Sequence, residues 1–134
     1  QQKTKESARM SEIRYTADHE WVSLDGDVAT VGITDYAEEQ LGDLVYVELP
    51  SVGQEVTAGD ETAVLESVKA AGDVKSPVSG IIVEVNETLS DAPEKVNENP
   101  TGDGWFFRVK ITNTADLETL MDKAGYDSLI TSLA

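Results

Sequence analysis

The sequence predicts a small, mainly β domain, a sandwich or barrel closed by helix at its C-terminal end. Three observations carry that expectation. Short runs of β-branched and aromatic residues recur from residue 13 to about 110, separated by turns rich in Gly and Pro. Beyond them the apolar spacing changes from that of a strand to that of a helix. The 134 residues are 40% hydrophobic, enough for one modest core.

Residues 20–24 and 28–33 are β-rich runs on either side of Asp25-Gly26-Asp27, and together they read as a hairpin. Thr34 is placed to N-cap a short helix over 35–41, with acids in its first turn and Gly42 as its stop. Residues 44–49 form the next strand, ended by Pro50-Ser51-Val52-Gly53. Val56 and the turn Ala58-Gly59-Asp60 lead into a strand over 62–67. Pro77-Val78-Ser79-Gly80 introduces another over 81–85, with Gly80 assigned to a turn that needs positive φ. Residues 86–99 are polar and read as loop with a helical turn. The last strand is 105–111, with apolar alternation at Trp105, Phe107, Val109 and Ile111. Leu117, Leu120, Met121 and Ala124 predict a helix begun at Thr114 or Asp116 and broken at Gly125, with a final turn or two over 127–133. Residues 44–49 echo 81–85, and Val56 before Gly59-Asp60 echoes Val96 before Gly102-Asp103. That echo describes two similar halves joined by a hairpin whose tip falls near 68–72.

Residues 1–9 are polar, carry Lys3, Lys5 and Arg9, and precede Met10. They read as a vector-derived remnant, extended or disordered, leaving residues 10–134 as a single domain; a targeting peptide would need an apolar stretch. The whole chain has 26 acidic and 10 basic residues and a formal net charge of −16. Such a surface repels phosphate backbones and anionic lipid, so neither nucleic acid nor membrane is an expected partner. The absence of cysteine excludes disulfides, thiolate metal sites and Cys nucleophiles, and one histidine cannot build a His-rich metal site. No apolar run approaches the ~20 residues of a membrane span.

One basic residue stands out. Between Arg14 and Lys69 there is no Lys or Arg, while thirteen Asp or Glu fall in that interval. Lys69 sits in Glu66-Ser67-Val68-Lys69-Ala70-Ala71-Gly72-Asp73, with small residues after it and strand-like runs on both sides. A lysine at such a tip is open to a second enzyme, and an amide at its amine would lengthen its reach. Spacing alone also accommodates a solvated turn lysine near Glu66 and Asp73.

Several ordered segments then resemble one family. They are Tyr15-Thr16-Ala17-Asp18-His19-Glu20-Trp21-Val22, Val31-Gly32-Ile33-Thr34-Asp35-Tyr36-Ala37, and 41–50 (Leu-Gly-Asp-Leu-Val-Tyr-Val-Glu-Leu-Pro). Glu66-Ser67-Val68-Lys69-Ala70-Ala71, Ser76-Pro77-Val78-Ser79-Gly80 and Gly102-Asp103-Gly104-Trp105 follow. Together they resemble the H proteins of the glycine cleavage system. The resemblance implies a barrel-sandwich hybrid, the fold of lipoyl domains, with lipoate amide-linked to Lys69. It implies a carrier without turnover of its own. A pyridoxal-phosphate glycine decarboxylase (P protein) loads an aminomethyl group onto the lipoyl arm. An aminomethyltransferase (T protein) passes the one-carbon unit to tetrahydrofolate, and dihydrolipoamide dehydrogenase (L protein) reoxidises the dithiol. A lipoyl ligase or transferase attaches the arm. The family implies a cytoplasmic bacterial protein, or a mitochondrial matrix protein if eukaryotic; a monomer is the default expectation.

The same resemblance assigns site residues. The loaded arm ends in a cationic amine that water can expel, so it calls for carboxylates and apolar walls. By motif, Glu20 and Asp73 are the partners of the ammonium, and Asp18 occupies a position from which the amine can also be contacted. Gln40 stands where some members have a histidine near the arm. Glu66 is assigned to recognition by the ligase. His19 reads as structural, and Trp21 and Trp105 as packing.

Four other readings share parts of this pattern. A biotinyl domain usually flanks its lysine with methionines, whereas Val68 and Ala70 stand here; dehydrogenase lipoyl domains commonly have Asp before the lysine and lack the His-Glu-Trp segment. An H-like protein in lipoyl or octanoyl relay would keep all of these motifs. A hydrolase would need a paired-acid motif or a Ser-His-Asp order, and neither is recognisable. A plain β interaction module would carry no modification at Lys69.

Overall fold

The computed structural model describes residues 13–133; the expectation for residues 1–9 lies outside the described residues. Strands β1 (Ile13–Tyr15), β2 (Glu20–Asp25) and β3 (Val28–Ile33) lead to helix α1 (Asp35–Leu41). Then come β4 (Leu44–Glu48), β5 (Glu55–Val56), β6 (Glu61–Ser67), β7 (Ala71–Lys75) and β8 (Gly80–Val85). Short helices α2 (Thr88–Asp91) and α3 (Glu94–Glu98) precede β9 (Phe107–Ile111). A 3-10 segment (Thr114–Thr119) and helix α4 (Lys123–Leu133) close the described chain.

Two antiparallel sheets result, one of six strands in the order β1-β2-β3-β9-β8-β5 and one of three in the order β4-β6-β7. The inward residues of both, among them Val22, Val31, Leu65, Val74, Ile82 and Val109, form one core with Phe106 and Phe107. Full burial of each such side chain contributes roughly 1.5–3 kcal/mol. The architecture is that of a barrel-sandwich hybrid, as the resemblance implied.

Most predicted elements are present within a residue or two. The Asp25-Val28 closure of the β2–β3 hairpin, the Thr34 cap of α1 and the stop at Gly42 are all seen. The Thr34 hydroxyl accepts from the Ala37 N–H at 3.3 Å, and Gly42 adopts φ 77°, which an L side chain resists. The echo between 44–49 and 81–85 has a structural counterpart. β4 shifts register between Leu44 and Tyr46, and β8 between Ile82 and Glu84. The skipped residues, Val45 and Val83, are both exposed, at 58% and 41%. The other half of the echo fails, because Val56 lies in β5 and Val96 in α3.

Three local expectations are corrected. β9 begins at Phe107, so Trp105 falls outside it. Phe106 takes the buried place instead, with its N–H on the Val31 carbonyl and its carbonyl taking the Asn86 N–H. Trp105 is left partly exposed under the Arg108 guanidinium, 4.0 Å from the ring centre. Gly80 has no positive φ. Its smallness serves close approach: a Cβ there would fall inside the Lys110 carbonyl of β9. Gly125 does not end a helix but lies in the first turn of α4. The break comes earlier, because Leu120 is extended and Asp122 caps α4, its carboxylate accepting from the Gly125 N–H at 2.8 Å.

Candidate functional site

Lys69 is the middle residue of the three that join β6 to β7. The turn is closed by Ser67. Its N–H donates to the Ala70 carbonyl at 2.7 Å, and its hydroxyl accepts from the N–H groups of Lys69 and Ala70 at 3.1 and 3.0 Å. A Ser at the end of a strand does this where a larger or apolar side chain would leave those donors unpaired. The tip rests on the loop between α1 and β4, where the Val68 N–H donates to the Asp43 carbonyl. That loop is clamped in turn by Asn97. Its amide donates to the Glu38 carboxylate and the Gly42 carbonyl and accepts from the Leu44 N–H, each at 2.8 Å.

Lys69 is exposed, and its stem passes over Gly42: a Cβ on Gly42 would stand 3.0 Å from the lysine Cε. Beside Gly42 opens a hollow of about 210 Å³. Ile33, Ala37, Leu41 and Leu65 give it apolar walls, and Gln40 lies along the α1 side. Asp18, Glu20 and Asp73 also line it. The three acids assigned by motif, Asp18 and Glu20 from one segment and Asp73 from another, are therefore brought to one hollow next to the lysine. These are the acceptors and the shape that a long apolar arm with a cationic end requires.

The acids differ in environment. Glu20 is 3% exposed. One of its carboxylate oxygens accepts from the Thr16 hydroxyl at 2.9 Å and the other from the Lys75 N–H at 3.0 Å. Burial raises its pKa, and those two hydrogen bonds oppose the rise. Among the described residues no Lys or Arg forms an ion pair with it. Asp73 is partly buried and pairs with Lys75 at 3.4 Å. A pair this long and this solvated is worth ~0–1 kcal/mol, so a better placed cation can displace it. Asp18 is exposed at the rim. Glu66 is on the outer face of the small sheet, exposed, opposite Tyr46 and Ala71 and away from the hollow.

His19 has φ 71°, the one positive-φ residue other than glycine among the described residues. Its ring packs against Tyr36 at a 40° tilt with centroids 4.6 Å apart, and Nδ1 lies 2.8 Å from the Tyr126 hydroxyl. Burial lowers its pKa, with the Asp18 charge opposing. Trp21 is buried, and its indole N–H donates to the Pro100 carbonyl at 2.9 Å. Three contributors escaped the sequence reading: Thr16, Asn97 and Tyr126. A capping-like Thr four residues before Glu20 is the only local signal among them; the other two act across long stretches of chain.

Comparison with known proteins agrees with this geometry. The glycine cleavage H-protein family model matches residues 13–132. The glycine cleavage system H protein of Parvibaculum lavamentivorans is 56% identical over 124 residues, covering 92% of this chain and 99% of the relative. That of Phenylobacterium zucineum is 60% identical over 118 residues, covering 88% and 98%. The crystal structure of the glycine cleavage system H protein from Mycobacterium marinum superposes with a TM-score of 0.80 at 40% identity, covering 88% of this chain and 95% of that one. No helix among the described residues is long and apolar enough to cross a membrane.

Proposed function

The chain belongs to the glycine cleavage H-protein family, and on that premise we propose that it is the lipoyl carrier of a glycine cleavage system, with Lys69 as its attachment residue. The observation that carries the reading is the placement of an exposed turn lysine beside an apolar hollow that holds Glu20 and Asp73. When bound, lipoate supplies the reversible sulfur chemistry by which an aminomethyl unit passes from the decarboxylase to the aminomethyltransferase, before dihydrolipoamide dehydrogenase restores the disulfide.

The chain's own part is to hold, orient and protect. The Ser67 turn and the Asn97 clamp fix the point from which the arm sweeps, so that each partner meets the same tip. Gly42 leaves room for the stem. Ile33, Ala37, Leu41 and Leu65 cover the methylenes and exclude water. Glu20 and Asp73 receive the ammonium at the far end, Glu20 from a desolvated position where a cation is welcome, and Asp18 adds attraction at the rim. None of these residues makes or breaks a covalent bond, which fits a component with no catalytic turnover. The outward Glu66, three residues before Lys69, is free to meet the attaching enzyme. The relatives named above are bacterial, which favours a cytoplasmic setting.

The test is peptide mass mapping across Lys69 after co-expression with a lipoyl ligase. The expected result is one lipoyl group on Lys69 and none on a Lys69→Arg variant. A bare Lys69 in a ligase-competent host overturns the reading, and a biotinyl group there moves the protein to another carrier class.

A further inference from the structure

We propose that Tyr126 is a positioning residue for the hollow beside Lys69: its hydroxyl, delivered by the C-terminal helix, pins the two walls of that hollow at their shared corner. The inference rests on reading the hollow as the place where the lysine's arm is held.

One wall is the turn into β2, with Asp18 and His19, and the first residue of that strand, Glu20; the other is α1, which carries Tyr36, Ala37, Gln40 and Leu41. The Tyr126 hydroxyl touches the base of both. It lies 2.8 Å from His19 Nδ1 and 2.7 Å from the Thr34 hydroxyl that caps α1. Only one arrangement places every hydrogen. The Ala37 N–H donates to the Thr34 oxygen, Thr34 donates to Tyr126, and Tyr126 donates to an unprotonated His19 Nδ1. The reverse direction would leave the Thr34 hydrogen without an acceptor in a buried site.

His19 needs such an anchor. A residue other than glycine at φ 71° is uncommon, although His tolerates it better than most, and such backbone gathers where a site must be kept in one geometry. Its backbone is tied on both sides, the N–H to the Thr16 carbonyl and the carbonyl to the Thr34 N–H. The side chain is tied by Tyr126. Rotation of His19 out of this conformation would carry its neighbours Asp18 and Glu20 with it.

Tyr126 is itself firmly placed. It is 5% exposed, its ring stacks on Tyr15 at 4.7 Å and 9°, and the segment before α4 is bridged to β1 by two 2.8 Å bonds between Tyr15 and Met121. The far end of the chain therefore reaches back to set the corner of the hollow. A helix needed only to cover core would not require that hydroxyl.

Three variants of the full chain test this: Tyr126→Phe, Ile130→Ala on the same helix, and Glu20→Gln. The readouts are amide hydrogen exchange at His19, Thr34 and Ala37 in the unmodified chain, and the lifetime of the aminomethyl-loaded, lipoylated chain. Tyr126→Phe is expected to speed exchange at those amides roughly fivefold or more and to shorten the lifetime. Ile130→Ala should lower the melting temperature and leave both readouts in place. Unchanged wall exchange in Tyr126→Phe, or equal acceleration in Ile130→Ala, overturns the proposal. Glu20→Gln separates the two levels. If it leaves the lifetime unaltered, the storage reading falls and wall exchange still decides the role of Tyr126. If it shortens the lifetime while Tyr126→Phe does not, positioning by Tyr126 is overturned.

Discussion

The Lys75 N–H donates to the Glu20 carboxylate at 3.0 Å, so a strand edge, and not a cation, holds the most buried acid of the hollow. Glu20 belongs to the six-stranded sheet and Lys75 to the edge strand of the three-stranded one. The bond closes the gap between the sheets beneath the hollow. It also leaves the carboxylate without an ion-pair partner among the described residues, the Lys75 ammonium acting on it only as a minor influence, in a place where solvent screens its charge little.

Glu20→Gln keeps the volume and removes that charge. An ammonium held by a desolvated carboxylate gains more than one held by an amide, by roughly 1.5 kcal/mol for a hydrogen bond to a charged group. The loaded amine is therefore expected to be lost about tenfold faster in the variant, with lipoylation of Lys69 intact. Release of formaldehyde and ammonia from the isolated loaded chain measures this; equal lifetimes would remove Glu20 from the storage role.

The same burial has a signature in stability. The Glu20 pKa is raised above its ordinary 4.5 chiefly by desolvation. Below 4.5 the folded and unfolded states both hold the proton. As pH rises from there through the higher folded value, the unfolded chain ionises first, and this carboxyl subtracts stability until both states are charged. The melting temperature of the unaltered chain minus that of Glu20→Gln should therefore fall as pH rises above 4.5. A difference that is flat or rises with pH contradicts the assignment.

His19 carries the opposite lever. Burial lowers its pKa below 6.5, with Asp18 opposing. Above 6.5 both states are neutral and the full contribution of the Tyr126 hydrogen bond is present. As pH drops below 6.5 the unfolded chain takes the proton first and stability is lost. Asn also tolerates positive φ, so His19→Asn keeps the turn while removing the titration. Its melting temperature should lose less than that of the unaltered chain between pH 7 and pH 5, as followed by circular dichroism.

Much of this was legible in the chain because the signals are local. The Lys69 turn follows from two β-rich runs with small residues between them, and α1 from a capping Thr and a terminal Gly eight residues apart. The grouping of Glu20 and Asp73 was legible only through the family motif, since nothing in their spacing brings two sheets together. Tyr126 was not legible at all: its partner His19 is 107 residues away, and it fell between a helix expected to break at Gly125 and a final turn or two expected over 127–133, where one helix in fact runs from Lys123. Sequence shows that Gly125 is flexible, but whether a preceding Asp turns to cap it depends on the docking of the whole segment. Gly80 shows the same limit. A glycine between Ser79 and Ile81 looks like turn chemistry, and only the neighbouring strand shows that bulk is what it avoids.

That distinction can be measured with two alanines. At Gly80 the new methyl meets backbone of β9, which cannot give way without opening the β8–β9 ladder. Gly80→Ala should therefore cost at or above the upper end of the ~1–3 kcal/mol usual for overpacking. At Gly53, φ is 94° and nothing lies within 4 Å of the added carbon, so only backbone strain of roughly 1–2 kcal/mol opposes it. Urea unfolding should rank Gly80→Ala as clearly the more destabilised of the two. Equal losses would return Gly80 to a turn role.

The charge of −16 makes a final prediction about encounter. Asp43 lies under the Lys69 turn and Glu66 and Asp73 on the strands that flank it, with Lys75 paired to Asp73, so acylation removes the cation of the tip itself. A carrier must leave each partner as readily as it finds it, so attraction that acts at a distance and is weak at contact suits it. The Debye length shrinks from about 30 Å at 0.01 M salt to about 10 Å at 0.1 M, so such attraction is largely lost over that range. The second-order rate of aminomethyl transfer should fall across it, while the rate at saturating carrier stays nearly level. The fall should be steeper for the lipoylated chain meeting the transferase than for the bare chain meeting its ligase, because only the bare chain keeps a cation at its tip. Stopped-flow transfer at graded salt measures both slopes, and rates indifferent to ionic strength would reduce the acidic surface to a solubility device.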